Sequence, residues 1–382
     1  MPGVSPKSDH SMNAGSIIQV TLWDSPYLGN FMLSELALAK AVSEQFGLGT
    51  HFVLAPQAGG QPWLGELDAQ GVTWSILPAD SNRWRAHLDE VVREQRAALV
   101  HAHFTSVDLQ AAAAAAAVGA PCVWHVRTGF THYSLAQRVK DVFKLRIVAR
   151  LRVARIIAVS PWLAQRAAQR GAPRGRIETI PNAIAADRFT HLPVRAAARE
   201  QLGLDPDAVV VLCLGWWPDI KGVDLFVDAL KGVAERHPNV NALLVGEEQM
   251  RDFLAERLPE TPSWLRLCRF VEDSALLFAA TDIFVSASRA EGQSSAIGEA
   301  MACGLPVVMS DIPGTSLWGA APAVQTFPTE QVPPLADALE RLLETPTHER
   351  IAAGQQNRQW LEENFSLSGW CERICAVYRE LL

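Results

Sequence analysis

Glu291 and Glu299 stand eight residues apart on either side of an expected helix start, in the stretch Glu291-Gly292-Gln293-Ser294-Ser295 that leads to Gly304, Leu305 and Pro306. Gly292 lets backbone pass close to a ligand, and Ser294 or Ser295 suits an N-cap. The helix is expected to run to Cys303, where Gly304 and then Pro306 stop it. Free amides at such an N-terminus can cradle a diphosphate. Ionised carboxylates accept hydrogen bonds in pairs, so one glutamate could hold a hexose and the other a ribose.

Other residues could add to this chemistry. Lys221 lies just before Gly222, after an expected strand and loop, where an ammonium can place a point charge on a departing phosphate. His125 closes an apolar strand pattern, and Arg127 falls on the same side of an extended chain. Arg127 could meet an anionic acceptor or a diphosphate. Asp205-Pro206-Asp207 has the D-x-D spacing of a metal motif but precedes a strand at an expected domain boundary, so a turn is the better reading. His101 and His103 could share one face, with no third ligand at metal spacing nearby. Walker loops, G-x-S-x-G and G-x-G-x-x-G are absent, which disfavours NTPase, hydrolase and dinucleotide classes.

The elements that must position these groups alternate along the chain. Strands are expected at 17–22, 51–55, 98–101, 122–125 and 156–159, with helices at 31–46, 108–118 and 161–170 between them. A second series has strands at 209–214, 241–245, 265–270, 283–286 and 306–309. Its helices fall at 223–236, 249–258, 275–280, 295–303 and 335–344. Such alternation implies βαβ units and parallel sheets. The fold class is therefore α/β, with two Rossmann-like domains and an interdomain cleft at the carboxyl ends of the strands, where open sheets bind ligands. Residues 1–15 read as a disordered leader, 16–190 as the first domain, 191–207 as a linker and 208–365 as the second domain. Trp370, Ile374, Val377, Tyr378 and Leu381 have helical spacing in a final segment, 366–382.

Composition narrows the class. The 382 residues are 49% hydrophobic and 20% charged, with material for two cores. A net charge of -7 argues against a general nucleic-acid binder. Arg138, Lys140, Lys144, Arg146, Arg150, Arg152 and Arg155 form a local basic run. It reads either as a solvated helix face or as a dock for a membrane-bound or anionic acceptor. The six cysteines form no C-x-x-C pair and read as free thiols in a reducing, cytoplasmic setting. No apolar run is long enough to span a bilayer.

From Glu291 to Val308 the chain resembles glycosyltransferase family 4, the retaining GT-B group, in its E-x7-E spacing followed by Gly304-Leu305-Pro306-Val307-Val308. The likeness extends to Ile156-Ile157-Ala158-Val159-Ser160, to Ile180-Pro181-Asn182-Ala183-Ile184 with Phe189 beyond, to Val245-Gly246-Glu247 and to the Gly215–Gly222 loop. It implies a metal-independent, retaining hexosyltransferase without a cofactor. Its partners would be a nucleotide-diphosphate sugar and a glycan or lipid-linked acceptor, in surface polysaccharide or lipopolysaccharide synthesis. The setting would be cytoplasmic, with possible peripheral contact at the inner face of a membrane.

The resemblance implies that His125, Lys221 and Glu291 are catalytic. Gly215, Trp216, Lys221, Gly246, Glu291, Gly292, Gln293, Ser294, Ser295 and Glu299 would bind the donor. Glu291 would hold the sugar, Glu299 the ribose and Lys221 the diphosphate, while Gly29, Asn30 and Arg127 would lie on the acceptor side. The final helix would cross back onto the first domain. The sequence departs from the pattern at Trp216, where the family has arginine, leaving Arg127 and Arg289 as nearest sources of the missing charge. Two rivals on the same fold are a catalytically silent binding module and a sugar-nucleotide epimerase or phosphorylase.

Overall fold

The computed structural model describes residues 15–104, 107–128, 135–269, 271 and 273–382. The expected leader lies outside them except for Gly15. Two compact units are present. The first comprises the chain up to Ala183 together with Leu367–Leu382, and the second Ile184–Ser366.

The first unit is built on seven parallel strands: β1 Ser16–Val20, β2 Gly49–Leu54, β3 Thr73–Ile76, β4 Ala97–His103, β5 Cys122–Val126, β6 Arg155–Ala158 and β7 Ile177–Thr179. Their order is β3-β2-β1-β4-β5-β6-β7. The second unit has six: β8 Val209–Leu214, β9 Val240–Val245, β10 Leu265–Cys268, β11 Ile283–Ser286, β12 Val307–Asp311 and β13 Val324–Pro328. Their order, β10-β9-β8-β11-β12-β13, repeats the same doubly wound plan. In each sheet the order reverses once, between β1 and β4 and between β8 and β11. Loops leaving the carboxyl ends there frame a crevice.

Helices cover both faces of these sheets, so the central strands read as continuous apolar runs. Every residue of β5 is buried, and so is every residue of β11. The strands that the alternation misses are β3, β7 and β13, all at sheet edges. An edge strand is covered on fewer sides, which weakens the apolar pattern of two of them: β7, Ile-Glu-Thr, has no fully buried residue, and β13 has one.

The expected linker is part of the second unit. Ala198 and Leu202 of the linker join its core, and so do Ile184 and Phe189, which the expected boundary had placed in the first domain. In the helix Arg195–Leu202, Arg199 is buried and bonds the carboxylate of Asp282 at 2.6 Å and the carbonyl of Ala280 at 3.2 Å. The final helix, Leu367–Arg379, buries Trp370, Ile374, Val377 and Tyr378 against Ile17, Leu38, Leu99 and Val123 of the first unit.

Candidate active site

In the second unit the loops after β8 and β11 meet at the reversal point. Gly222 takes a left-handed φ of +63°, and a Cβ there would lie 2.0 Å from the carbonyl oxygen of Ala287. Only glycine lets these loops touch. The amide of Arg289 then reaches the carbonyl of Ile220 at 2.8 Å. This contact brings Lys221 and Glu291, 70 residues apart in sequence, into an ion pair with Nζ 2.7 Å from Oε1. Ser288 donates its hydroxyl to the same carboxylate oxygen at 2.8 Å. The Lys221 ammonium also lies over the Trp216 ring, 5.5 Å from its centroid. Trp216 thus stands against the cation that the loop retains. Both members of the pair are about one-eighth exposed, at 13% and 12%, and so remain within reach of a ligand.

Gly215 and Gly246 line the same strand ends. A Cβ on Gly215 would be 2.9 Å from Met250 and Val223, and Gly246 has φ +119°. Gln293 and Ser294 are buried ahead of the helix Ser295–Ala302, with Gly292 and Ser295 on either side of them. Ser294 occupies the N-cap position with extended backbone, but its side chain makes no cap hydrogen bond. Glu299 is buried within this helix, 3.7 Å from Arg188. Burial pushes its pKa up to about 6, against the opposing charge of Arg188.

Arg188 and Ser288 are contacts that the sequence reading does not include. Arg188 also donates to Ser274 at 3.1 Å and lies 4.7 Å from the centroid of the Phe189 ring. Its one sequence signal is its place immediately before Phe189 in the matched stretch.

Arg289 does not supply the missing charge. Its guanidinium grips Asp224 with two bonds of 2.8 Å, Glu330 at 2.6 and 3.0 Å, and the carbonyl of Asp219 at 2.6 Å. Those bonds commit its donors to the loop itself. Asp205 accepts the amide of Asp207 at 2.8 Å, both residues being exposed, so the D-x-D spacing is a turn.

The first unit places a second polar cluster at the ends of β1, β4 and β5. Arg127 is its hub, at 7% exposure. It donates to Glu35 at 2.5 Å, Asn182 at 2.6 Å, His103 at 3.2 Å and His125 at 3.3 Å. Its guanidinium also lies 4.8 Å from the centroid of the Phe31 ring. These bonds give Arg127 an internal role at the strand ends of the first unit. His125 is buried, with its ring parallel to that of His101 at 5.2 Å. Asn30 is likewise committed, donating to the carbonyl of Ala183 at 2.8 Å from within the helix that Gly29, at φ +61°, begins.

His125 is the third ligand that sequence spacing does not bring to His101 and His103, for nitrogen atoms of all three rings lie within 4.8 Å of one another. The geometry nevertheless opposes a cation. Arginine only donates, so the Nδ1 atoms of His103 and His125 that face Arg127 must accept. His103 Nε2 is held by Gln19 at 2.8 Å, and His101 Nδ1 by the Tyr378 hydroxyl at 2.6 Å. The Arg127 guanidinium lies against two of the three rings, and its charge disfavours a second cation beside them. Burial and Arg127 hold all three imidazoles well below the usual histidine range, hence neutral. Burial also raises the Glu35 carboxyl to about 7 against the pull of Arg127.

Two parallel α/β units with a carboxylate-and-lysine site at a strand reversal define a GT-B type of transferase. Profiles of two families match: Glycosyltransferase Family 4 over residues 52–188 and Glycosyl transferases group 1 over 208–345. Between them they take in most of the chain, and this chain belongs to the glycosyltransferases of that family. It is 27% identical over 290 residues to the lipopolysaccharide core biosynthesis mannosyltransferase LpsB of Rhizobium meliloti, covering 69% of this chain and 81% of the relative. It is 29% identical over 210 residues to the GDP-mannose:cellobiosyl-diphosphopolyprenol alpha-mannosyltransferase of Xanthomonas campestris, where the match spans 51% of this chain and half of the relative's length. The fold is similar to that of HepE from Anabaena in its complex with UDP-glucose. There the TM-score is 0.81 at 20% identity, over 96% of this chain and 100% of the other. Among the described residues, no helix is long and apolar enough to cross a membrane.

Proposed function

We propose that this protein transfers a hexose, with retention and without a metal, from a nucleotide-diphosphate sugar to a glycan or lipid-linked acceptor. Surface polysaccharide or lipopolysaccharide synthesis at the inner face of a membrane is the setting. The observation that carries the reading is the Lys221–Glu291 pair at the β8–β11 reversal. The two side chains bond each other. A donor that sets its diphosphate beside Lys221 and its sugar hydroxyls beside Glu291 replaces one ion pair with two charge-assisted contacts. Gly215, Gly246 and the amides from Gly292 to Ser295 complete the donor loop, and Glu299 takes the ribose.

In the reaction the bond between the anomeric carbon and the diphosphate oxygen breaks. The new glycosidic bond forms on the same face of the sugar, and the acceptor's hydroxyl proton passes to the leaving phosphate oxygen. Lys221 stabilises the charge that develops there. The chemistry of the donor loop supports metal independence, because an ammonium and helix amides can themselves meet the charge of a diphosphate. Donor turnover in excess chelator should equal turnover with added magnesium. Activity that is lost to chelator and restored by magnesium or manganese would overturn the mechanism. A protein that neither transfers nor hydrolyses any of a panel of nucleotide sugars would be a binding module instead.

A further inference from the structure

The segment from Leu135 to Arg152 is helical throughout: Leu135–Phe143, a π-helical turn Lys144–Val148, and Ala149–Arg152. It carries two apolar stripes on opposite faces. Leu145, Ala149 and Val153, four residues apart, sink into the core of the first unit. Lys144 anchors the same side, 2.6 Å from the buried carboxylate of Asp108. The other stripe has the same spacing and points to solvent. Its members are Val139, Phe143, Ile147 and Leu151, exposed by 63, 53, 45 and 75%. Single exposed apolar residues are ordinary, but four in helical register form a continuous strip.

Charge tells what covers it. Exposed cations border the strip along its length: Lys140 beside Val139, Arg146 beside Ile147, and Arg150 and Arg152 on either side of Leu151. From Val139 to Arg152 the only acidic residue is Asp141, on a chain whose net charge is -7. A second copy docking through the same face would oppose like charges across the contact. Bulky apolar side chains bordered by arginine and lysine instead match a helix lying in the plane of an anionic lipid surface, with apolar groups in the acyl boundary and cations among headgroups.

We infer that residues 139–152 form the surface by which this protein docks on an anionic membrane. The inference rests on the peripheral location proposed above, and not on the donor or the reaction. The full chain should co-sediment with vesicles containing phosphatidylglycerol far better than with pure phosphatidylcholine vesicles. Half-molar salt should weaken that binding. Arg146→Gln with Arg150→Gln should weaken it roughly 30-fold, about fivefold for each cation removed. Phe143→Ser, Ile147→Ser and Leu151→Ser combined should cost about tenfold or more. All of these variants should hydrolyse donor in solution like the parent. Vesicle binding that survives in both variants would overturn the assignment of this strip while leaving a peripheral location intact. Failure of the parent to bind either vesicle would remove both. A parent that dimerises, with the serine variant monomeric and neither bound to lipid, would make the strip a protein interface. Should the serine variant not fold, the glutamine pair and the salt series still decide.

Discussion

The two units each place a carboxylate beside a cation at the carboxyl ends of their strands, yet the two pairs do opposite work. In the second unit Glu291 has two side-chain partners, Lys221 and Ser288, and remains partly open to solvent. In the first, Glu35 is fully buried and its partner Arg127 makes bonds to three further side chains. Coulomb attraction is present in both. The number of remaining bonds and the access of water differ. A partly exposed pair can exchange its partners for a ligand, whereas a buried pair whose arginine also bonds three other side chains ties the sheet ends together.

That contrast is broken or sharpened first at Arg127. Removing one member of a buried ion pair leaves its partner uncompensated, which costs about 3–5 kcal/mol. Arg127→Leu should therefore lower the free energy of unfolding by that amount in a denaturant titration, with Arg127→Lys recovering part of it. A stable Arg127→Leu protein with only a raised acceptor KM would put Arg127 back among the binding residues.

Lys221 makes the opposite case. In the proposed reaction, with Arg289 committed to Asp224 and Glu330, Lys221 is the side-chain cation that would meet the developing phosphate charge. Removing a single stabiliser of this kind costs about 10²–10³ in kcat. Lys221→Ala should show that loss in donor turnover while melting near the parent. Unchanged turnover would remove the phosphate loop from the mechanism.

The two carboxylates separate by partner. Glu291→Ala should impair turnover more than binding of the free nucleoside diphosphate, whereas Glu299→Ala should weaken that binding too. Each lost charge-assisted bond is worth about 1.5–3 kcal/mol. Calorimetry with the nucleoside diphosphate alone reads the split, and equal losses in both variants would show the roles to be wrongly divided.

The central strands and the donor loop are legible in the sequence because their signals are local. Apolar runs such as Ile283–Ser286 have no other stable place than a covered parallel sheet. The helix start at Ser294 and its stop at Gly304 are read from backbone chemistry alone. The pairing of Lys221 with Glu291 is not legible, because it depends on a loop contact made possible by Gly222. Arg127 misleads for a related reason. Its partner Glu35 sits in the apolar helix Gly29–Phe46, three and four residues before the buried Leu38 and Ala39. A carboxylate on the buried stripe of a helix is the signal that could have revealed an internal cation. The histidine cluster needs strand register: His103 lies opposite His125 only because β4 pairs with β5 in that frame.

The smallest expected effect sharpens the comparison within the donor helix, at Glu299. Burial raises its folded pKa to about 6, from an ordinary value of 4.5, and Arg188 at 3.7 Å only partly opposes the shift. Between those two values the folded protein holds a proton that the unfolded chain has released. Stability from this group is therefore fully present below pH 4.5 and is lost as pH rises through about 6. The span corresponds to no more than about 2 kcal/mol. Glu299→Gln cannot titrate, so its unfolding free energy relative to the parent should rise between pH 4.5 and 7 and then level off. A saturating nucleoside diphosphate should reduce that difference, because a ribose hydroxyl bonded to the carboxylate favours its ionised form. Parallel stability profiles for parent and variant would mean that water or Arg188 already compensates the charge. Glu299 would then resemble Glu291 in being held ready for a ligand, rather than Glu35 in being sealed.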